Sequence, residues 1–164
     1  MFSKLIVMIG PPCSGKSTIG KKLAENLGYK YISSGDIARD LANEEQTTKL
    51  NNGEMFDEKI MRSAIYNEVT ENLTNDIGVV LDGFPRNCGQ YEWLGENMSY
   101  AHPVFVLVRV SMATIMERVK KRNRDDDKSI AKRLEDYQHF TAPMAQMIAR
   151  SDTNSMLVME NNGI

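Results

Sequence analysis

Short apolar runs alternate with stretches of helical periodicity along the whole chain. Runs at Lys4–Ile9, Lys30–Ser33, Gly78–Leu81, Pro103–Val108 and Ser155–Met159 predict five strands. Between them, Ile19, Leu23 and Leu27 share one helical face, and Gly28 follows as a C-terminal stop. Met61, Ile65, Val69 and Leu73 recur every fourth position within Asp57–Leu73, and Ile115, Met116 and Val119 do comparable work in Met112–Lys121. A longer helix is predicted over Lys128–Arg150, through Ile130, Leu134, Tyr137 and Met144, with a bend or break at Pro143. Strands alternating with helices predict an α/β fold in which a parallel sheet is covered by helices. No repeat, low-complexity tract or linker divides the sequence, so a single domain over 1–164 is expected.

Composition narrows the class of protein without naming a reaction. A net charge of −2 gives no support to a dominant nucleic-acid-binding role. Cys13 and Cys88 make no disulfide framework, which fits a reducing compartment. The first ten residues lack the cleavage site of a signal peptide, and no run approaches the length of a membrane span. A cytoplasmic monomer with no membrane or nucleic-acid partner is therefore expected. The eleven methionines fall mostly on the apolar faces, where core filling accounts for them.

Chemistry enters where the first apolar run ends. Gly10–Ser17 reads GPPCSGKS and fits the phosphate-binding pattern G-x-x-x-x-G-K-[ST]. Gly10 and Gly15 let the backbone approach a polyphosphate, Lys16 supplies an ammonium, and Ser17 offers a hydroxyl to Mg2+. A short glycine pattern can arise by chance, but the strand before it and the helix after it are the context the motif requires. A second motif, Ile77–Arg86, is IGVVLDGFPR: a buried strand that ends in Asp82, then Gly83 and an arginine. A carboxylate at that strand end is where a metal needs an anchor; a plain turn-capping aspartate is the alternative. In the third, YISSGDIAR (Tyr31–Arg39), a strand gives way to a helix started by Ser34 or Asp36, with Arg39 one turn in.

These motifs, in their order, resemble the adenylate kinase family of nucleoside monophosphate kinases. The resemblance runs from GPPCSGKST through SSGDIAR, the glycine of NGEMFDE, LDGFPR with Gln90, and ERVKKRNRDDD to KRLEDY and TAP, covering nearly the whole chain. It implies a five-stranded parallel P-loop NTPase core with a helical monophosphate-binding clamp (about 34–73) and a lid, here very short (about 122–128). It implies that Gly10, Pro11, Pro12, Cys13, Ser14, Gly15, Lys16, Ser17 and Thr18 wrap ATP, with Arg118 on the ATP adenine. Ser34, Gly35, Arg39, Met55, Gly83, Arg86 and Gln90 resemble the acceptor site, Gln90 reading the base. Lys16, Arg86, Arg122, Arg124 and Arg133 resemble the cations around the transferring phosphoryl group. Ser17, Asp36 and Asp82 resemble the Mg2+ site, the carboxylates acting through water. A cis peptide is implied at Phe84–Pro85. Arginine suits phosphoryl transfer because its fork stays charged and grips two oxygens at once. Lys120 and Lys121 read more simply as a solvated helix end.

The chain also departs from its relatives. Only Asn123 separates Arg122 from Arg124, where many relatives carry a sizeable lid, and no Cys or His cluster exists to hold zinc there. The GEMFDE segment lacks the usual proline and is one residue shorter, leaving Met55 and Phe56 as candidate linings of the base pocket. Relatives generally continue past the last strand into a closing helix, whereas this sequence stops at Ile164. Three functions are carried forward. The first is transfer of the γ-phosphoryl group of Mg-ATP to AMP. The second is the same transfer to CMP, UMP or a deoxynucleotide, suggested by Asn87 beside Arg86. The third is an ATPase or nucleotide-responsive binding protein, which would not need the acceptor residues.

Overall fold

The computed structural model of the chain describes residues 3–122 (the Arg122 side chain excepted), 129–152 and 155–163. Arg124 and most of the expected lid lie outside these residues. Five strands, β1 (Leu5–Ile9), β2 (Lys30–Ser33), β3 (Val79–Asp82), β4 (Val104–Arg109) and β5 (Ser155–Glu160), form one sheet in the order β2-β3-β1-β4-β5. Every pairing is parallel. The five predicted strands are all present, with ends shifted by a residue at most.

Alternation along β1 separates the two faces of the sheet. Leu5, Val7 and Ile9 join Val79, Leu81 and Phe105 in one cluster, closed by Ile65, Val69, Leu94, Met98, Met144 and Ile148. Those residues belong to α4 (Glu58–Thr74), α5 (Cys88–Met98) and α8 (Ala142–Ala149). Met8, Val80, Val106 and Val108 face the other way, onto Ala24, Ile19 and Leu23 of α1 (Lys16–Leu27). Burial on both faces is why the strands read as continuous apolar runs. Each large aliphatic side chain fully withdrawn from water contributes roughly 1.5–3 kcal/mol, so the central strands anchor everything above them.

The remaining helices surround one end of the sheet. Ser33 caps α2 (Ser34–Leu41) by accepting from the Asp36 N–H, one residue before the start expected from the sequence. A short helix, α3 (Glu44–Asn51), was not foreseen, because none of its residues is buried and it carries no apolar stripe. Its signature is instead a capping box, in which Asn43 and Gln46 exchange side-chain bonds with each other's backbone. After β4 comes α6 (Met112–Arg122), and α7 (Ile130–Asp136) follows beyond residues 123–128.

The long helix expected over Lys128–Arg150 is divided. A π-helical turn, Tyr137–Thr141, lies between α7 and α8, and the Ala142 N–H reaches back to the Tyr137 carbonyl. Pro143 falls within the first turn of α8. With no N–H to give and a ring that crowds the preceding turn, proline disrupts the ordinary ladder, and the wider turn absorbs the mismatch. The Phe84–Pro85 peptide is cis, as the resemblance implied.

Candidate active site

The parallel register brings three loops to one edge of the sheet. Met8 pairs with Asp82, and Ser33 pairs with Asp82 from the other side, so β1, β2 and β3 end at one level. The phosphate-binding loop, the start of α2 and the Gly83–Asn87 turn therefore open into a common space. That space is a cleft of about 1010 Å³. Its walls include Gly10, Pro12, Cys13, Gly15, Lys16, Ser17 and Thr18 on one side. Ser34, Gly35, Arg39, Met55, Phe56, Gly83, Arg86 and Gln90 line the other, with Arg118 and Arg133 also contributing.

Backbone conformation builds the phosphate side. Cys13 and Gly15 take positive φ values of 61° and 88°, a left-handed geometry that turns successive N–H groups inward. Gly10 is confined: a Cβ there would lie 2.7 Å from the Val108 carbonyl oxygen. Pro11 is buried and its carbonyl accepts from the Ser14 N–H at 3.2 Å and from Lys16 Nζ at 3.4 Å. Ser14 is buried beneath the loop rather than in the cleft wall. Arg118 donates to the carbonyls of Cys13 (3.1 Å), Asn161 (2.8 Å) and Gly163 (2.7 Å).

Asp82 joins the two sides. It is 3% exposed, and its Oδ2 accepts from both Ser17 Oγ and Tyr31 Oη at 2.6 Å. Burial, reinforced by the bond to Asp82, pushes the Tyr31 phenol well above its ordinary range. Asp82 Oδ1 is buried with no hydrogen-bond partner. A buried carboxylate oxygen with no donor is costly, and beside the Ser17 hydroxyl it suits a hydrated divalent cation. Among the described residues no group of three or more His, Cys, Asp or Glu could hold a metal. The donor set therefore fits an ion that keeps waters and phosphate oxygens as its main ligands, the habit of Mg2+. Asp36, the other carboxylate expected near the metal, instead forms an i,i+3 ion pair with Arg39 and is not part of the cleft wall.

Cations gather on the acceptor side. Arg86 reaches the Gly83 carbonyl through Nε at 2.6 Å and Ser34 Oγ through a terminal nitrogen at 3.4 Å. It lines the cleft and is exposed to solvent. Crowding by the walls lowers its pKa, as do the neighbouring Arg133 and Arg39, while Asp82 and Asp136 oppose the shift. Like charges held together in this way mark a place built for an anion. Gly83 is needed for the close approach, since its φ is +84° and a Cβ would fall 2.5 Å from Ser34 Oγ. Gln90 is 2% exposed; its Oε1 accepts the Arg86 N–H at 2.7 Å. Asn87 caps α5, its side chain accepting the Gln90 N–H at 2.9 Å.

The cleft thus collects most of the residues singled out in the sequence. Arg122 ends α6, its side chain lying outside the described residues along with Arg124. Three contributors went unassigned in the sequence. Tyr31 opens the YISSGDIAR motif and buttresses Asp82, and Thr141 opens TAP and donates to the Arg86 carbonyl at 2.7 Å. Both lay inside recognised segments, so position was a signal. Asn161, whose Nδ2 donates to the Ser14 carbonyl at 2.8 Å, follows β5 with no motif to announce it.

Comparison with known proteins agrees with this geometry. The family model described as adenylate kinase matches residues 8–152. The chain is similar to the adenylate kinase of Prochlorococcus marinus (strain MIT 9211), at 34% identity over 155 residues, covering 88% of this chain and 82% of that protein. It is also similar to the adenylate kinase of Mycobacterium sp. (strain MCS), at 33% identity over 150 residues, with 85% and 82% covered. Adenylate kinase isoenzyme 5 of Mus musculus matches at 31% identity over 159 residues, which is 90% of this chain and 28% of that longer protein.

Proposed function

The chain belongs to the adenylate kinase family and is a nucleoside monophosphate kinase; from that premise we propose that it transfers the γ-phosphoryl group of Mg-ATP to AMP, giving two ADP. The observation that carries this reading is one continuous cleft of about 1010 Å³, walled by a phosphate-binding loop on one side and by Arg39, Arg86 and Gln90 on the other. Pockets for one small ligand run from about 300 to about 1,000 Å³. A cleft of this size with two anion-binding sides suits two nucleotides meeting phosphate to phosphate.

Each side chain then has work to do. The loop N–H groups and Lys16 hold the β- and γ-phosphates of ATP, and Arg118 supports the adenine end. Arg39 and Arg86 hold the acceptor phosphate, with Ser34 and Gly35 lining its approach. Arg133, with Arg122 and Arg124 from the lid segment, neutralises charge that spreads over the transferring group. Ser17 and Asp82 would hold a hydrated Mg2+, which would supply positive charge to offset that on the phosphate oxygens. Little covalent chemistry falls to the protein: holding two phosphates in line and stabilising the charge between them accounts for most of the rate.

Adenine as the acceptor base is supported by Gln90. Its Nε2 can donate to a base, and its Oε1, already accepting from Arg86, keeps a second lone pair. Asn87, the residue that suggested a pyrimidine, also lines the cleft, but its Oδ1 is used in capping α5. The clamp of about 34–73 brings Met55 and Phe56 to the same wall. The reading is tested by a coupled assay of ADP formation with AMP, CMP, UMP, GMP and no acceptor. A site that pairs a buried amide with a base rejects bases leaving that amide unpaired. AMP is expected to exceed UMP and GMP by more than ~10-fold in kcat/KM, with CMP its closest rival. A preference for CMP or UMP would overturn the assignment of the base.

A further inference from the structure

The segment that follows β5 touches the phosphate-binding loop through one side chain. The Asn161 N–H bonds to the Arg109 carbonyl at 2.8 Å, which continues the β4–β5 ladder by one residue. Its carbonyl accepts from Arg118 at 2.8 Å, and Asn162 Oδ1 accepts from the Ser111 N–H at 2.7 Å. The backbone here is therefore pinned to the sheet and to the start of α6. From that fixed position Asn161 Nδ2 donates to the Ser14 carbonyl at 2.8 Å. The same amide nitrogen occupies the space beside Gly15, since a Cβ on Gly15 would lie 2.5 Å from it.

We propose that Asn161 is a positioning residue for ATP: it sets the orientation of the Ser14–Gly15 peptide and so aims the loop's N–H groups at the ATP phosphates. In a trans peptide the carbonyl of one residue and the N–H of the next point in opposite directions. Holding the Ser14 carbonyl toward the strap after β5 turns the Gly15 N–H the other way, and Gly15 lines the cleft. Gly15 has a φ of +88°, where a glycine peptide can flip at little steric cost. Without an external donor, nothing at that position selects the productive orientation. Arg118 secures the neighbouring Cys13 carbonyl in the same manner, so two consecutive peptides are oriented from outside the loop. This rests on the kinase reading above for the identity of the ligand, while the loop geometry stands independently of the reaction.

Two variants test it, Asn161→Ala, which removes the donor, and Asn161→Asp, which keeps the shape and sets an acceptor against the Ser14 carbonyl. Affinities for a non-transferable ATP analogue and for AMP are measured separately by calorimetry, beside kcat and KM for each substrate and a thermal melt. Loss of one oriented hydrogen bond corresponds to roughly tenfold in affinity. Analogue affinity is expected to fall about that much in Asn161→Ala and further in Asn161→Asp, with AMP affinity unchanged. Unaltered analogue affinity in both variants, or a parallel loss of AMP affinity, would overturn the proposal. If the unmodified protein binds the analogue yet transfers nothing to AMP, the kinase reading fails and the test of Asn161 still stands.

Discussion

Lys16 and Tyr31 show how much a single side chain can be asked to do here. Lys16 heads α1 at the cleft wall with its ammonium near the loop carbonyl of Pro11. In the proposed reaction its removal would delete a charge that faces the developing transition state, and single electrostatic donors of that kind are worth ~100-fold or more. Lys16→Ala is expected to lose at least that much kcat in the coupled assay, and near-normal turnover would remove the loop from the chemistry. Tyr31 makes a prediction about alkaline stability. The folded protein keeps the phenol proton above the pH near 10 where an ordinary tyrosine loses it. Above that pH the folded state binds more protons than the unfolded chain, so stability falls as pH rises. Urea titrations between about pH 9 and 11 should show a steeper decline for the parent than for Tyr31→Phe. Residues inside motifs were legible in the sequence because phosphate binding demands particular types at fixed spacing. Tyr31 and Thr141 lie inside recognised segments yet had no assigned role, and Asn161 lies outside any motif, since all three act on other residues and any hydrogen-bonding group in the right place would serve.

At the level of elements, α7 carries Arg133 and Asp136 into the lining of the cleft, and the π turn before α8 adds Tyr137, Phe140 and Thr141. Thr141 is 8% exposed, and its hydroxyl bonds the Arg86 carbonyl. Thr141→Val keeps the shape and leaves that carbonyl without its donor, which costs about 1–3 kcal/mol. Urea unfolding should register the loss, and KM for the acceptor should rise because Arg86 is less firmly held. An unchanged stability would mean water replaces the hydroxyl without penalty. The strands and the helices α1, α4 and α6 were legible because burial imposes a period on their sequences, although Leu27 and Met116, placed on the apolar faces by that period, lie exposed. The turn at Tyr137–Thr141 was readable only as a disturbance at Pro143, since the way a helix accommodates proline depends on its neighbours. The surface helix α3 left no apolar stripe, and only its capping box betrays it.

At the scale of the whole molecule, the turn after α3 lies against the start of α7. Gly53, at φ +81°, lies so near Ser129 that a Cβ there would fall 2.9 Å from the Ser129 Cβ. Gly53→Ala should hold the clamp away from α7, raising KM for AMP severalfold (about 1 kcal/mol for an alanine forced to positive φ) while leaving KM for ATP unchanged. Equal effects on both substrates would show that the contact serves the fold alone. The parallel five-stranded sheet was legible because strands alternating with helices favour parallel pairing, while its strand order was not read from the sequence. The approach of Gly53 to Ser129 was not legible, since two residues far apart in sequence meet only after the sheet has formed. The central claim concerns what happens between the two sides of this cleft, and 31P NMR of equimolar ATP and AMP reads it most directly. ATP and AMP are predicted to disappear at equal rates, with two ADP formed for each pair and inorganic phosphate a minor product. ATP loss matched by inorganic phosphate, with AMP unconsumed, would contradict the account.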